Sequence, residues 1–229
     1  MINADTLMMS SFFSLLILII VGFILYYKFP EKKYFKYFAL FPTFFLTGEL
    51  LRTLRVYLPD FFSVIIGNTL MAFGIMFLYI GVRVLLNFDA KWNNRYYIPV
   101  SIVFLGFLLF TYIHYDVAMR IFIFSTFTII YASGIAWRFF KYATEEYKVL
   151  DYISAALFLI GILIFLARTF KASMIEINVN YPKSSEILNS LIYLYLFFMT
   201  AWFNIILIVR ARDLFKNKKS KDFLNKEML

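Results

Sequence analysis

The chain has 229 residues, 62% of them hydrophobic and 16% charged, with one histidine and no cysteine. A mean hydropathy of +0.77 lies outside the range of soluble domains, and the missing thiols exclude disulfides, thiol catalysis and cysteine metal sites. The net charge of +9 would suit nucleic acid, but the basic residues follow the connections between apolar segments, so no nucleic-acid partner is expected.

A helix rises about 1.5 Å per residue, so crossing a hydrocarbon core of roughly 30 Å takes about 20 apolar residues. Hydropathy and breakers predict seven spans, at Phe12–Tyr27, Tyr37–Leu58, Phe61–Leu86, Tyr96–Ile113, Val117–Phe140, Leu150–Thr169 and Ile187–Val209. The first is expected to stay in the membrane. Asp5 precedes its apolar core and Lys28, Lys32 and Lys33 follow it, the reverse of a cleaved signal. Short connections at Pro59-Asp60, His114–Asp116 and Phe88–Arg95 make successive spans antiparallel neighbours. Alternate connections then carry Lys28, Lys32, Lys33 and Lys36; Arg83, Lys91 and Arg95; and Arg138, Lys141 and Lys148. Together with the basic tail they hold 17 of the 23 Lys and Arg, which places the N-terminus outside and the C-terminus in the cytoplasm. The fold class expected is an all-α integral membrane protein, a seven-transmembrane-helix bundle of the inner (cytoplasmic) membrane. Its domains are 1–209 for the bundle and 210–229 for a basic cytoplasmic tail.

Along the third span Gly67, Gly74 and Gly81 recur every seven residues, nearly one face of a helix, so a neighbouring backbone can come close there. Ser154 and Gly161 repeat the device in the sixth span, and the next position in register is Arg168, which turns that charge into the bundle. The connection from Phe170 to Glu186 alternates apolar and polar residues over Met174–Val179, predicting a short amphipathic or extended cap. Pro42 and Pro99 each fall near an inner helix end, leaving few of the broken spans that transporters use.

Charges inside a membrane are costly, roughly 2.5–3.5 kcal/mol each at midspan on insertion scales, so they face the bundle and find partners. Glu49 falls near the midplane, and Arg52 lies three residues on, where the two can pair. Arg55, Asn68, Arg120 and Arg168 share a similar depth in the outer half, with Asp60 and Asp116 as acids at the rim. Two outcomes are open for the arginines: snorkelling to outer headgroups, or convergence with Asn68 on an outward-facing pocket floored by Glu49. Such a pocket would suit a carboxylate or phosphate ligand.

A family resemblance rests on these residues. The run Leu54-Arg55-Val56-Tyr57-Leu58-Pro59-Asp60-Phe61-Phe62-Ser63 is followed by Gly67-Asn68-Thr69-Leu70, Gly74 and Gly81-Val82-Arg83. Farther on come Phe110-Thr111-Tyr112, Arg120, Leu166-Ala167-Arg168 and Arg210-Ala211-Arg212. The pattern resembles the N-terminal membrane region of bacterial GGDEF diguanylate cyclases, and the resemblance implies a signal-input module in cyclic-di-GMP signalling. The chain departs from those proteins in having no Gly-Gly-Asp/Glu-Glu-Phe sequence, and only Arg210–Leu229 follow the last span. A catalytic domain needs on the order of 100 residues, so cyclase activity is not carried over. Output is expected through a cytoplasmic signalling protein acting in trans or a separate output domain.

Other classes fare worse. A retinal protein needs a lysine in the last span, and Ile187–Val209 has none. No nucleophile with a base and no carboxylate or histidine cluster is legible, so neither enzyme activity, cofactor nor metal site is expected, and His114 reads as an interfacial side chain. The expectation is a non-enzymatic membrane sensor, with a small-molecule or anion transporter as the alternative. Its expected partners are the bilayer, an anionic small molecule, a cytoplasmic protein and a second copy of the chain.

Overall fold

Apolar residues dominate the predicted spans, and each lies in helix for most of its length. The computed structural model describes residues 4–88, 94–174 and 183–227, with side chains for 5–88, 95–172 and 188–216. The α-helices among these residues are α1 (Ala4–Lys28), α2 (Tyr34–Thr53), α3 (Gly67–Leu85), α4 (Tyr97–Leu108), α5 (Val117–Lys141), α6 (Lys148–Met174) and α7 (Lys183–Glu227). A 3-10 turn at Leu54–Val56 extends α2, a π-helical turn at Phe61–Ile66 leads into α3, and another at Leu109–Ile113 closes α4. No strand occurs among the described residues.

Five helical stretches are long and apolar enough to cross a membrane: Asp5–Lys28, Phe61–Leu85, Val117–Lys141, Glu145–Ala172 and Leu188–Lys216. The stretch Tyr97–Ile113 is apolar but shorter. Helix α2 is interrupted by Lys36, Glu49 and Arg52. Protein, rather than lipid, covers much of α2: Phe35, Phe38 and Phe41 on it are fully buried. Neighbour relations run α7–α1–α2–α3–α5–α6 and back to α7, with α4 leaning on α3 and α5 from outside that ring.

Local chemistry sets several boundaries. Asp116 is extended and its carboxylate accepts the Met119 N–H at 3.0 Å, an N-cap that starts α5 one residue later. Helix α3 ends on Asn87 at φ 61°, where Phe88 N–H reaches Arg83 O at 2.9 Å and Asn87 N–H reaches Val84 O at 3.1 Å. This is a Schellman stop, with Asn replacing the usual glycine in the left-handed position. Pro99 sits in the first turn of α4, where its missing N–H costs nothing, but Pro42 lies inside α2 rather than near its end.

The glycine register of α3 does what its spacing implied. A Cβ on Gly74 would come within 2.9 Å of Phe41 O, and one on Gly81 within 3.2 Å of Tyr37 Cβ, so the stripe faces α2. Gly48 on α2 answers Gly67, since a Cβ there would collide with the Gly67 carbonyl. Helix α1 approaches α2 in the same manner, with Gly22 against Ala39. The connections around Lys91 and the expected cap beyond Met174 lie outside the described residues. Helix α7 passes through the expected boundary at Arg210 without a break.

Candidate functional site

The antiparallel order gives the bundle two ends, one at Pro59, His114 and the start of α7, the other at Phe29, Tyr142 and Tyr147. Between α2, α3, α5, α6 and α7 lies a cavity of about 70 Å³. A water needs roughly 10–15 Å³ of such space, so several waters or a small organic group fit. Phe41 and Phe45 of α2, Ile75 and Leu78 of α3 and Phe124 and Ile135 of α5 form its apolar walls, with Phe158 and Phe165 of α6 and Met199 of α7. The polar groups gather toward the Pro59 end: Glu49, Arg52, Arg168, Asn189 and Tyr193.

Three of these form one hydrogen-bonded unit. Arg52 Nη2 lies 2.6 Å from Glu49 Oε1, and the Tyr193 hydroxyl donates to that same oxygen at 2.8 Å while accepting from Arg52 Nη2 at 3.1 Å. Glu49 is 3% exposed, whereas the Arg52 side chain is 36% exposed. All the carboxylate's bonds fall on one oxygen: Oε2 is buried with no hydrogen-bond partner among the described residues. An unfilled buried acceptor costs about 1–3 kcal/mol, more when charged, so this oxygen favours an occupant that brings an N–H or O–H. Helix α7 is tied in further by Ser11 of α1, which donates to Tyr193 O at 2.7 Å, and by a 2.6 Å bond between Thr200 and Ser14.

The six expected site residues divide. Glu49 and Arg52 pair as their spacing implied, and Arg168 joins them at the cavity. Its register holds over the whole of α6: Ser154 accepts the Trp202 indole N–H at 3.0 Å, and a Cβ on Gly161 would meet the Tyr195 hydroxyl, so the face of Ser154, Gly161 and Arg168 turns toward α7. Arg55, Asn68 and Arg120 do not line the cavity, and the expected four-way convergence is not what the bundle builds. Arg55 pairs with Asp60 at 3.2 Å in an exposed rim bridge. Asn68 turns back on its own helix, donating to Val64 O at 2.6 Å. Arg120 is buried between α5 and the π-helical turn after α4, donating to Thr111 at 3.2 Å with its guanidinium 4.9 Å from the Tyr115 ring centre.

A second polar cluster lies at the Tyr147 end. Arg210 of α7 pairs with Asp151 of α6 at 3.3 Å, and both are largely buried. The Arg210 guanidinium stacks 4.1 Å from the Tyr147 ring centre, the Tyr147 hydroxyl donates to Asp213 at 2.8 Å, and Asp151 also accepts the Thr144 N–H at 3.2 Å. The cluster fastens α7 to the connection between α5 and α6, where it leaves the bundle. Among the described residues no group of histidines and acids is placed to hold a metal.

The described residues are almost wholly helical, with five stretches long and apolar enough to cross a membrane and a small, partly polar cavity between the helices. Compared with protein-family models, curated proteins and solved structures, the chain has no match.

Proposed function

We propose that the chain is a seven-span protein of the bacterial cytoplasmic membrane, N-terminus outside, working as a non-enzymatic signal-input module. The observation that carries this reading is α7: one unbroken helix of 45 residues supplies Tyr193, Tyr195, Leu196 and Met199 to the cavity and continues past the Asp151–Arg210 contact to Glu227. A ligand in the cavity and a partner at the far end would therefore act on the same rod. Helix α2 and the Tyr97–Ile113 stretch supply the two remaining spans, the first sheltered by its neighbours and the second short. The two arginines at the cavity, Arg52 and Arg168, suit an acid or phosphate, and Glu49 Oε2 adds a requirement for a donor on the same molecule. Output passes to a cytoplasmic protein, as the resemblance to the membrane region of GGDEF proteins also implies.

The chain has no cysteine of its own, so spin labels on introduced cysteines are free of background. Labels at Lys148→Cys and Lys216→Cys report the position of the α7 extension, and Ala132→Phe fills the cavity in place of a ligand. A shift of a few ångströms in the label-to-label distance is expected. An unchanged distance, together with saturable uptake of acetate or phosphate by vesicles holding the protein, would replace the sensor reading with transport.

A further inference from the structure

A second opening lies on the lipid-facing side, between α1 and α7, at the Phe29 end. It is a groove of about 460 Å³ walled by Val21, Ile24, Leu25, Ile208, Ala211 and Phe215, with Arg212 and Lys216 at its end. The spacing explains the arrangement. Ile208, Arg212 and Lys216 follow one another at four-residue steps on α7, while Val21, Leu25 and Lys28 fall on one face of α1. Lys28 closes the cluster from the α1 side, its Nζ 4.3 Å from the Phe215 ring centre. Ile24 and Ile208 are more than half exposed, so the groove opens outward rather than into the bundle. The acid beside the cluster is Asp213, 3.4 Å from Arg212 Nε, and its other oxygen already receives the Tyr147 hydroxyl.

We infer that this groove is a binding site for one anionic phospholipid of the inner leaflet, its acyl chain between α1 and α7 and its phosphate against Lys28, Arg212 and Lys216. The charge of the rim selects the occupant: an apolar channel alone would take any lipid, and three cations against the one acid Asp213 leave that end net positive and favour a negative headgroup. The inference rests on the proposed membrane topology but is independent of the sensor reading, because nothing in it involves the central cavity. A lipid seated there would brace α7 against α1 where the helix leaves the bundle.

Native mass spectrometry of the full chain in detergent, with phosphatidylglycerol and phosphatidylcholine of matched acyl chains, tests the proposal. Phosphatidylglycerol should be retained preferentially. In R212Q/K216Q that preference should fall about 30-fold, from about 1 kcal/mol per basic residue near an anionic surface. K32Q/K33Q, which removes equal charge from the same end outside the groove, should lose less than about threefold on the same scale. Melting curves of both variants in phosphatidylcholine should match the unaltered chain, since Arg212 is 64% exposed. Equal losses in the two variants would reduce the effect to diffuse charge. Equal retention of both lipids by the unaltered chain, or a groove filled by a second copy that neither lipid displaces, would overturn the site.

Discussion

Removing the charge of Arg52 should harm the bundle more than removing that of Glu49, although the two form one ion pair. Breaking a buried pair from one side costs about 3–5 kcal/mol, because the survivor is left charged and dry. Here the survivors differ. With Arg52→Gln, the carboxylate of Glu49 remains at 3% exposure, held by Tyr193 alone and with Oε2 already unfilled, so a loss of about 3 kcal/mol follows. With Glu49→Gln, the remaining guanidinium keeps the Tyr193 hydroxyl and the new amide oxygen as acceptors and borders the cavity, so the loss falls to about 1 kcal/mol. The double variant should recover about 1–2 kcal/mol relative to Arg52→Gln alone, which against the two single losses is a coupling of about 2–3 kcal/mol, within the range found for contacting residues. Tyr193→Phe should cost about 1.5–3 kcal/mol, since its hydroxyl is hydrogen-bonded to two charged groups. Equilibrium unfolding in mixed micelles, followed by helical circular dichroism, gives all four values. Additive losses, or a costlier Glu49→Gln, would refute the reasoning, since either would mean that Arg52 does not hold a buried charge in place.

A reporter fused after Leu229 should be active only in the cytoplasm, and one inserted between Met174 and Lys183 only outside; the opposite pattern would sink the orientation. Gly48→Ala should destabilise by more than about 2 kcal/mol in a melting experiment, because the new Cβ meets backbone at Gly67 and Met71, while Gly81→Ala should cost less than about 1 kcal/mol against a side chain at 3.2 Å. Arg210→Gln should cost about 3 kcal/mol and raise hydrogen exchange over residues 144–148, since Asp151 would be left buried without its partner. Unchanged exchange there would show that the contact does not fasten α7.

The helices and the contact of successive ones were legible because hydropathy, short connections and small-residue spacing are local signals, whereas the packing of α1 against α7 was not. The Glu49–Arg52 pair was legible too, three residues apart on one helix. Tyr193 was not: its partner is 144 residues away, and a tyrosine near a span's end reads equally well as an interfacial anchor. Arg210 was hidden for a related reason, counted among the basic residues of the tail while its acid lay 59 residues upstream. Arg55, Asn68 and Arg120 show the limit of depth as a guide. Hydropathy places a residue along the membrane normal, but which neighbour it faces depends on rotation about each helix axis. The π-helical turns at Phe61–Ile66 and Leu109–Ile113 shift that rotation away from 100° per residue, one of them just before Asn68. The register of Arg168 worked because α6 is α-helical throughout.

Helix α7 has a mechanical consequence. At about 1.5 Å per residue its 45 residues make a rod about 68 Å long, and about 46 Å of it separates Leu196, at the cavity, from Glu227. As a rigid lever pivoting at Arg210, where the Asp151 contact fastens it, a tilt of about 10° would carry Glu227, about 26 Å farther on, by about 4.5 Å, close to one helical pitch of about 5.4 Å. Leverage works in both directions. Whatever grips the far end of α7 would press on the walls around Glu49 with the same advantage, and by linkage would change the affinity of the cavity by the factor through which the cavity changes its grip.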